Sequence, residues 1–169
     1  MSDQNSQLIF REAMARLGAA VNLVTTDGTA GRHGMIASAV CSVTDEPPTI
    51  LVCVNRKSAA NGKLKANGSL CLNILTKNHR PVTDQFCDRS LSIDERFGEA
   101  DRWTTLATGS PGLRGAAVIL DCRIDEISEV GTHSVFFCHV IDVRLGEKED
   151  ALIYFDRSYH SLASLNEMP

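Results

Sequence analysis

The segment Asn55–Ala60 combines residue types that can bind a phosphate. Two cations, Arg56 and Lys57, come directly before Ser58 and a short stretch that favours a helix. A helix N-terminus presents unpaired N–H donors and the positive end of the helix dipole, and both attract phosphate. An N-capped surface helix with solvated basic residues would show the same pattern. The residues alone leave both interpretations open.

A run of small and hydroxylated residues, Gly34 to Thr44, is a second candidate. Small side chains along a strand let a flat aromatic ring, such as an isoalloxazine, lie against the backbone. Ser38, Ser42 and Thr44 would add hydroxyl groups. An ordinary half-buried strand with one polar face also fits this run.

Two further candidates lie in the C-terminal half. His133 falls in a predicted hairpin loop, where an imidazole could hydrogen-bond a carboxamide and help to position a nicotinamide. The segment 155–160 places aromatic rings beside Arg157, and these groups stack on planar ligands or bond their oxygens. The alternatives are a solvated loop histidine, and an exposed Asp156–Arg157 ion pair with Tyr159 docking the tail.

Composition and charge exclude several classes of protein. The 169 residues are 43% hydrophobic and 22% charged, which is typical of one globular domain spanning residues 1–169. A net charge of -4 gives no electrostatic reason to bind nucleic acid or an anionic membrane. The chain shows no apolar run of membrane-spanning length and no signal peptide at its start, so a cytoplasmic location is expected.

The cysteines do not indicate a metal site. Six are present, without a C-x-x-C pair or a cluster with histidine. Most lie inside apolar runs, which predicts small buried thiols in a reducing compartment. We therefore expect no bound metal.

The elements that must position these residues are predicted to be mainly strands. A helix over residues 8–20, with an apolar stripe facing the core, opens the chain. Strands are predicted over residues 21–26, 34–44, 49–55, 69–75, 116–130, 134–143 and 151–155, and short helices over 58–66, 82–86 and 93–97. Consecutive strands with few helices between them favour an antiparallel barrel over a doubly wound sheet. The chain also has no G-x-G-x-x-G and no Walker lysine loop.

Taken in order, these segments resemble the flavin reductase family. The resemblance spans nearly the whole chain and is carried by residues 10–14, 18–26, 37–49, 70–75, 95–97, 131–133 and 154–160. Within the family, the chain looks most like the reductase component of 4-hydroxyphenylacetate 3-monooxygenase and the flavin reductase of pyrimidine utilisation. The implied fold is a six-stranded split β-barrel of Greek-key type, the FMN-binding split barrel, with a few short helices. The implied assembly is a homodimer with flavin near the subunit interface.

The resemblance also implies a reaction and a set of site residues. The reaction is hydride transfer from NADH to FMN or FAD, with reduced flavin passed to a partner monooxygenase. The flavin-contacting strand corresponds to Ala37, Ser38, Val40, Cys41 and Ser42, the phosphate-binding turn to Asn55, Ser58 and Ala59, and the border of the ring to Cys71 and Asn73. His133 becomes the catalytic residue on the nicotinamide side, and Phe155, Arg157 and Tyr159 complete the pocket. Many relatives have Gly-Asp-His where this chain has Gly-Thr-His, which leaves NADH against NADPH open.

Three alternatives stay open. A reductase of cob(II)yrinic acid a,c-diamide would use the same flavin site to pass one electron to cobalt. A flavin-binding electron carrier would hold flavin without oxidising NADH. A pyridoxal-phosphate-type oxidase would need a second basic phosphate site, which the sequence does not show.

Overall fold

A computed structural model describes residues 3–163, so the ends of the predicted domain, residues 1–2 and 164–169, lie outside the described residues. The helices are α1 (Asp3–Ala15), α2 (Ala59–Asn67), α3 (Arg80–Cys87) and α4 (Ile93–Phe97). The strands are β1 (Ala19–Ala20), β2 (Asn22–Thr26), β3 (His33–Ala37), β4 (Val40–Asp45), β5 (Pro48–Asn55), β6 (Ser69–Ile74), β7 (Trp103–Thr105), β8 (Pro111–Leu113), β9 (Val118–Val130), β10 (His133–Leu145), β11 (Ala151–Phe155) and β12 (Ser158–Leu162). None of the described helices is long and apolar enough to cross a bilayer.

Seven strands form one antiparallel sheet in the order β3-β2-β6-β9-β10-β5-β4. Its two edge strands, β3 and β4, are consecutive in the chain and are separated only by Ser38 and Ala39. The sheet must therefore curl until its edges meet, and the Ala39 carbonyl accepts a hydrogen bond from the Cys53 amide of β5 at 3.0 Å. Counting β3 and β4 as one bent strand gives a six-stranded barrel, so the predicted mainly β split barrel is confirmed.

The predicted long strand over residues 34–44 is in fact two strands. β3 pairs with β2, whereas β4 pairs with β5 on the other side of the closure. A single straight strand cannot serve both neighbours across a curled sheet, so the chain bends at Ser38–Ala39. The bend leaves Ser38 exposed at the edge of the barrel.

Two apolar clusters lie on opposite faces of the barrel strands. Leu70 and Leu72 of β6 pack inside the barrel with Val52 and Phe136. Cys71 faces the other way, into a cluster that the segment around α3 and α4 covers with Phe86, Phe97 and other apolar side chains. The period-2 alternation of a strand produces this division. Both faces of β6 are therefore buried.

The predicted first helix forms, but its apolar stripe is not buried within the chain. α1 ends at Ala15, and Phe10, Met14 and Leu17 are 65%, 43% and 61% exposed. Only Val21, beyond the helix, reaches the core. The expectation of a core-facing stripe was wrong for the isolated chain, because periodicity reports an apolar face and not what covers it.

The C-terminal segment was predicted as a strand followed by a tail. The structure instead makes a hairpin, in which β11 pairs with β12 and Tyr154 lies opposite Tyr159. The turn residues Asp156 and Arg157 have φ of 47° and 60°, the left-handed conformation that tight turns require. The hairpin also pairs with β1 through Ala19 and Ala20.

Candidate functional site

A cleft of about 1000 Å³ opens where β3, the start of α2 and the α3–α4 segment meet. We call it the α2 cleft. Its lining residues are His33, Gly34, Met35, Ile36, Asn55, Lys57, Ser58, Ala59, Phe86, Cys87, Arg89, Leu91, Ser92, Ile93 and Arg96. The volume matches the upper range of ligand pockets.

The predicted phosphate-binding turn forms one part of this lining. The Asn55 carboxamide oxygen accepts from the Lys57 amide at 2.9 Å, and the Asn55 carbonyl accepts from the Ser58 amide at 2.9 Å. These bonds close the turn between β5 and α2. Ser58 is the N-cap, with its Oγ accepting from the Ala60 amide at 3.3 Å. The Ala59 N–H, at the first helical position, has no carbonyl acceptor within the helix and can bind an anion.

The α2 cleft is positively charged. Lys57, Arg89 and Arg96 line it, and no acidic residue does so within the described chain. His33 is only 8% exposed, and its Nδ1 has no hydrogen-bond partner among the described residues. The buried Nε of Arg96 also has no hydrogen-bond partner among the described residues. This donor set fits an anionic ligand such as a flavin phosphate.

Two smaller depressions continue from the α2 cleft along the bent strand. A pocket of about 160 Å³ shares Ile36 with the cleft and is also lined by Ala37, Ser38 and Tyr159. A groove of about 660 Å³ follows, which we call the strand groove; its lining includes Ser38, Val40, Cys41 and Ser42. The five predicted strand residues thus lie in order along one path that begins at the α2 cleft.

His133 lies beside the predicted phosphate-binding turn. It lies directly opposite Asn55 in the β5–β10 ladder, and opposite residues of a ladder place their side chains on the same face. The Thr132 carbonyl also accepts from the Arg56 amide at 2.9 Å. The imidazole is exposed, and its Nδ1 lies 2.9 Å from the Thr132 hydroxyl. The fold therefore brings together two predicted site segments that are about eighty residues apart.

A hydrogen-bond network, buried at Asn61 and Ser134 and exposed at Lys65 and Glu129, connects this hairpin to α2. The side-chain Nδ2 of Asn61 donates to the Val54 carbonyl at 3.1 Å and to Ser134 Oγ at 3.0 Å. Ser134 Oγ in turn donates to the Glu129 carboxylate at 3.0 Å, and Lys65 pairs with that carboxylate at 2.6 Å. The lysine partner and the Ser134 hydroxyl lower the pKa of Glu129. The network limits movement of His133 relative to the start of α2.

Comparison with known proteins identifies the family. The sequence model of the flavin reductase like domain matches residues 14–163, which is most of the chain. The chain belongs to the flavin reductase-like family. It is 51% identical over 155 residues to a protein named FMN reductase (NADH) RutF from Variovorax paradoxus, covering 92% of this chain and 85% of that protein. A protein of the same name from Serratia proteamaculans is 52% identical over 153 residues, covering 90% and 86%.

Solved structures of the flavin reductase-like family share the fold. A candidate flavin reductase from Haemophilus somnus is 45% identical, with a TM-score of 0.86 over 92% of this chain and 98% of that one. BorF, the flavin reductase component of a bacterial two-component tryptophan halogenase, is 28% identical, with a TM-score of 0.87 over 94% and 99%. The barrel described above is therefore that of the family.

Two residues that the flavin reductase-like resemblance placed at the ring lie in the interior instead. Cys71 and Asn73 are both 0% exposed and line none of the three depressions. Burial raises the pKa of the Cys71 thiol to about 12, so it stays protonated. Asn73 bonds the strands around it to the β8 segment. Both side chains point to the outer face of β6, which the loop carrying β8 covers, so the structure does not support a ring contact.

The C-terminal predictions are divided by the β11–β12 hairpin. Tyr159 lines the small pocket with Ala37 and Ser38, and the Arg80 guanidinium stacks 4.1 Å above its ring. Arg157 instead points to α1, where it pairs with Glu12 at 2.8 Å. Phe155 is 42% exposed and lines none of the three depressions. Only Tyr159 of these three residues joins the path along the bent strand.

Sequence reasoning missed His33, Arg89 and Arg96 as site residues. The Glu95–Phe97 segment carried the family resemblance, but it suggested no role for the arginine. His33 carried no local signal, because a single histidine before a strand is unremarkable. About sixty residues separate His33 from Arg96, so only the packed barrel brings them to the same cleft.

Proposed function

We propose that this chain acts as a single flavin reductase-like domain that reduces flavin with NADH and passes the reduced flavin to a partner monooxygenase. The observation that supports the site assignment is that the Asn55–Ser58 turn and the N-terminus of α2 line the α2 cleft. His133 does not line the cleft, but it lies opposite Asn55 in the β5–β10 ladder. The relatives named FMN reductase (NADH) support FMN as flavin and NADH as reductant.

In this proposal the protein contributes binding and orientation. The Ala59 N–H and Lys57 hold the flavin phosphate at the start of α2, and the isoalloxazine extends along the bent strand toward Ser38. Small side chains there leave room for a planar ring. Bound flavin supplies the acceptor for the two electrons of the reduced nicotinamide. His133 orients the nicotinamide carboxamide beside that ring, so its role is positional.

An anaerobic absorbance spectrum tests the reaction class. Purified protein is mixed with FMN or FAD, and the oxidised-flavin band is followed before and after NADH or NADPH is added. We expect NADH to bleach the band, with the flavin and nicotinamide that react faster defining the preference. Retained flavin that NADH does not bleach would indicate an electron carrier and overturn the proposal. Oxidation of NADH only when a cob(II)yrinate acceptor is present would indicate the corrinoid reductase.

Replacing His133 separates nicotinamide orientation from flavin binding. In His133→Ala the rate of NADH oxidation should fall by roughly tenfold or more, because the reacting rings lose alignment. The dissociation constant for FMN should change by less than about twofold. Stopped-flow bleaching and fluorescence titration measure the two quantities.

The matched variant is His133→Gln, which retains a hydrogen-bonding nitrogen and should recover part of the rate. Equal losses of rate and flavin affinity in His133→Ala, or a loss of neither, would contradict an orienting role.

We also propose a homodimer. Leu8, Ile9 and Phe10 of α1 are 63%, 52% and 65% exposed, an apolar surface that a second subunit would cover. The exposed Ser38 side of the barrel lies next to the end of α1, since Leu17 and Ser38 both line the strand groove. Light scattering should give the mass of two chains, and a single-chain mass at micromolar concentration would refute the assembly.

The cytoplasm is the location that we propose. All six cysteines are free thiols, including the exposed Cys41 and Cys87. A reducing compartment keeps exposed thiols in that state. Cell fractionation with compartment markers tests the assignment.

The partner monooxygenase is proposed by analogy with two-component systems. BorF and PheA2, at 28% and 27% identity, are both named as flavin reductases, and BorF is the reductase component of a halogenase. A flavin-dependent oxygenase that consumes reduced flavin should hydroxylate its substrate only when this protein, flavin and NADH are all present. Failure of every such pairing to support oxygenation would remove this part of the proposal.

A further inference from the structure

Two residues that line the α2 cleft, His33 and Arg96, each carry a buried nitrogen that the Asn55–Ser58 turn does not contact. His33 Nδ1 and Arg96 Nε are buried, and neither has a hydrogen-bond partner among the described residues. Leaving a buried polar group unpaired is costly, so such groups usually receive a partner from a ligand or water. An arginine Nε can only donate a hydrogen bond, which means that its missing partner is an acceptor.

These two residues belong to a different part of the lining from the start of α2. His33 opens β3, and Arg96 lies in α4, with Arg89 in the segment that leads to α4. The cleft therefore has a cationic surface in addition to the one around Lys57. Sequence inspection found no second basic phosphate site because its residues are far apart in the chain.

The state of His33 suits a neutral donor. Burial, together with the nearby charges of Lys63 and Arg96, lowers the pKa of the His33 imidazole. A neutral ring can carry its one proton on Nδ1 and donate it, while Arg96 supplies the formal charge. Two donors with one charge match the oxygens of a phosphodiester, which carries a single negative charge.

We propose that His33 and Arg96 bind a second phosphate in the α2 cleft, one that belongs to the adenylate half of a dinucleotide. This inference rests on the proposed function, which places the flavin phosphate at Ser58 and Ala59. One phosphate group fills only a small part of a cleft of about 1000 Å³, whereas an adenylate attached to it extends along the cleft. The dinucleotide is either FAD, whose other phosphate is then the flavin phosphate at the start of α2, or NADH bound beside the flavin, since both carry the same pyrophosphate chemistry.

Binding titrations without reductant test whether FAD supplies the second phosphate. His33→Phe keeps a ring of similar size without its nitrogens, and Arg96→Met keeps the aliphatic stem without its donors. The matched control is Arg102→Met, a half-buried arginine of the same region that does not line the cleft. If FAD is the occupant, each variant should raise the dissociation constant for FAD by about tenfold and that for FMN by less than twofold. The control should change neither dissociation constant by as much as twofold.

Steady-state kinetics test whether NADH supplies the second phosphate. If NADH is the occupant, both variants should raise KM for NADH by about tenfold but leave KM for reduced nicotinamide mononucleotide, which lacks the adenylate, unchanged. On the unaltered protein, AMP should compete with the dinucleotide concerned and not with FMN. This competition needs no variant, so it keeps the inference testable if His33→Phe or Arg96→Met does not fold.

Two results would overturn the inference. If the variants lose affinity for FMN and for FAD equally, His33 and Arg96 belong to the same phosphate site as the start of α2. Variants that behave like Arg102→Met, together with no competition by AMP, would mean that water satisfies the two nitrogens. A wild-type protein that binds FAD selectively but does not bleach it with NADH would refute the proposed reaction and leave this binding site standing.

Discussion

Ser58→Asp should abolish most of the affinity for FMN without destabilising the protein. Aspartate is as good an N-cap as serine. Its carboxylate can accept the hydrogen bond that the Ala60 amide now donates to Ser58 Oγ. Its carboxylate would, however, stand where the proposed flavin phosphate binds. Two like charges about 4 Å apart repel by several kcal/mol even at an effective dielectric of roughly 20, and solvent exposure reduces this. We expect the dissociation constant for FMN to rise at least about tenfold, measured by fluorescence titration.

Two controls isolate the charge. Ser58→Asn is nearly isosteric with Ser58→Asp, is also a good N-cap and is neutral, so its FMN affinity should stay near that of the wild type. Riboflavin has no phosphate, and its affinity should not distinguish the Asp and Asn variants. The difference in FMN affinity between the Asp and Asn variants should become smaller as the salt concentration is raised, because salt screens the repulsion. If the Asp and Asn variants bind FMN equally, the phosphate does not lie at the start of α2.

Asn73→Ala should cause a large loss of stability and little loss of flavin affinity. Its carboxamide oxygen accepts from the Leu113 amide at 2.6 Å, and its amide donates to the Leu23 carbonyl at 3.0 Å and to Thr25 Oγ1 at 3.3 Å. Truncation leaves the buried Leu113 amide without its acceptor, which costs about 1–3 kcal/mol, and removes two more buried hydrogen bonds worth about 0.5–1.5 kcal/mol each. Thr25 Oγ1 keeps its hydrogen bonds to the Cys71 and Pro111 carbonyls. We expect the free energy of unfolding to fall by about 3 kcal/mol and Tm by roughly 6–12 °C. Chemical and thermal denaturation measure these losses.

Asn78→Ala is the matched control for Asn73→Ala. Asn78 is exposed and its amide bonds to Glu149, so its truncation should cost less than about 0.5 kcal/mol. FMN titration of folded Asn73→Ala, at a temperature well below its Tm, should give an affinity within about twofold of the wild type. A stable variant that no longer binds flavin would restore Asn73 to the ring border, where the family resemblance placed it.

Local signals predicted many elements correctly. Ser58 was expected to be the N-cap of a short helix ended near Gly68, and α2 has that cap and a left-handed Gly68 with φ of 69°. The long hairpin was expected from alternation over residues 116–143 and is observed as β9 and β10. These features depend on residues close together in the chain, which is why pattern alone is sufficient.

Predictions that required knowledge of what covers a face were less successful. The period of α1 identified an apolar stripe, but nothing in the described chain covers Phe10 or Leu17. β6 alternates Leu70, Leu72 and Ile74 with Ser69, Cys71 and Asn73, so its pattern separates two faces but could not show that the loop carrying β8 covers Asn73. The bend at Ser38–Ala39 is set by closure of the barrel, which involves strands far apart in sequence.

The sequence by itself determined the family, the mainly β architecture and the turn that leads from Asn55 into the N-cap Ser58, because each follows from motifs or from short-range periodicity. Only the tertiary structure decided which of the predicted residues share a site. It placed His133 opposite Asn55, sent Arg157 to Glu12 on α1, and joined His33 to Arg96 in one cleft. Those contacts arise from strand pairing and barrel closure over long separations, and local patterns carry no information about such pairings.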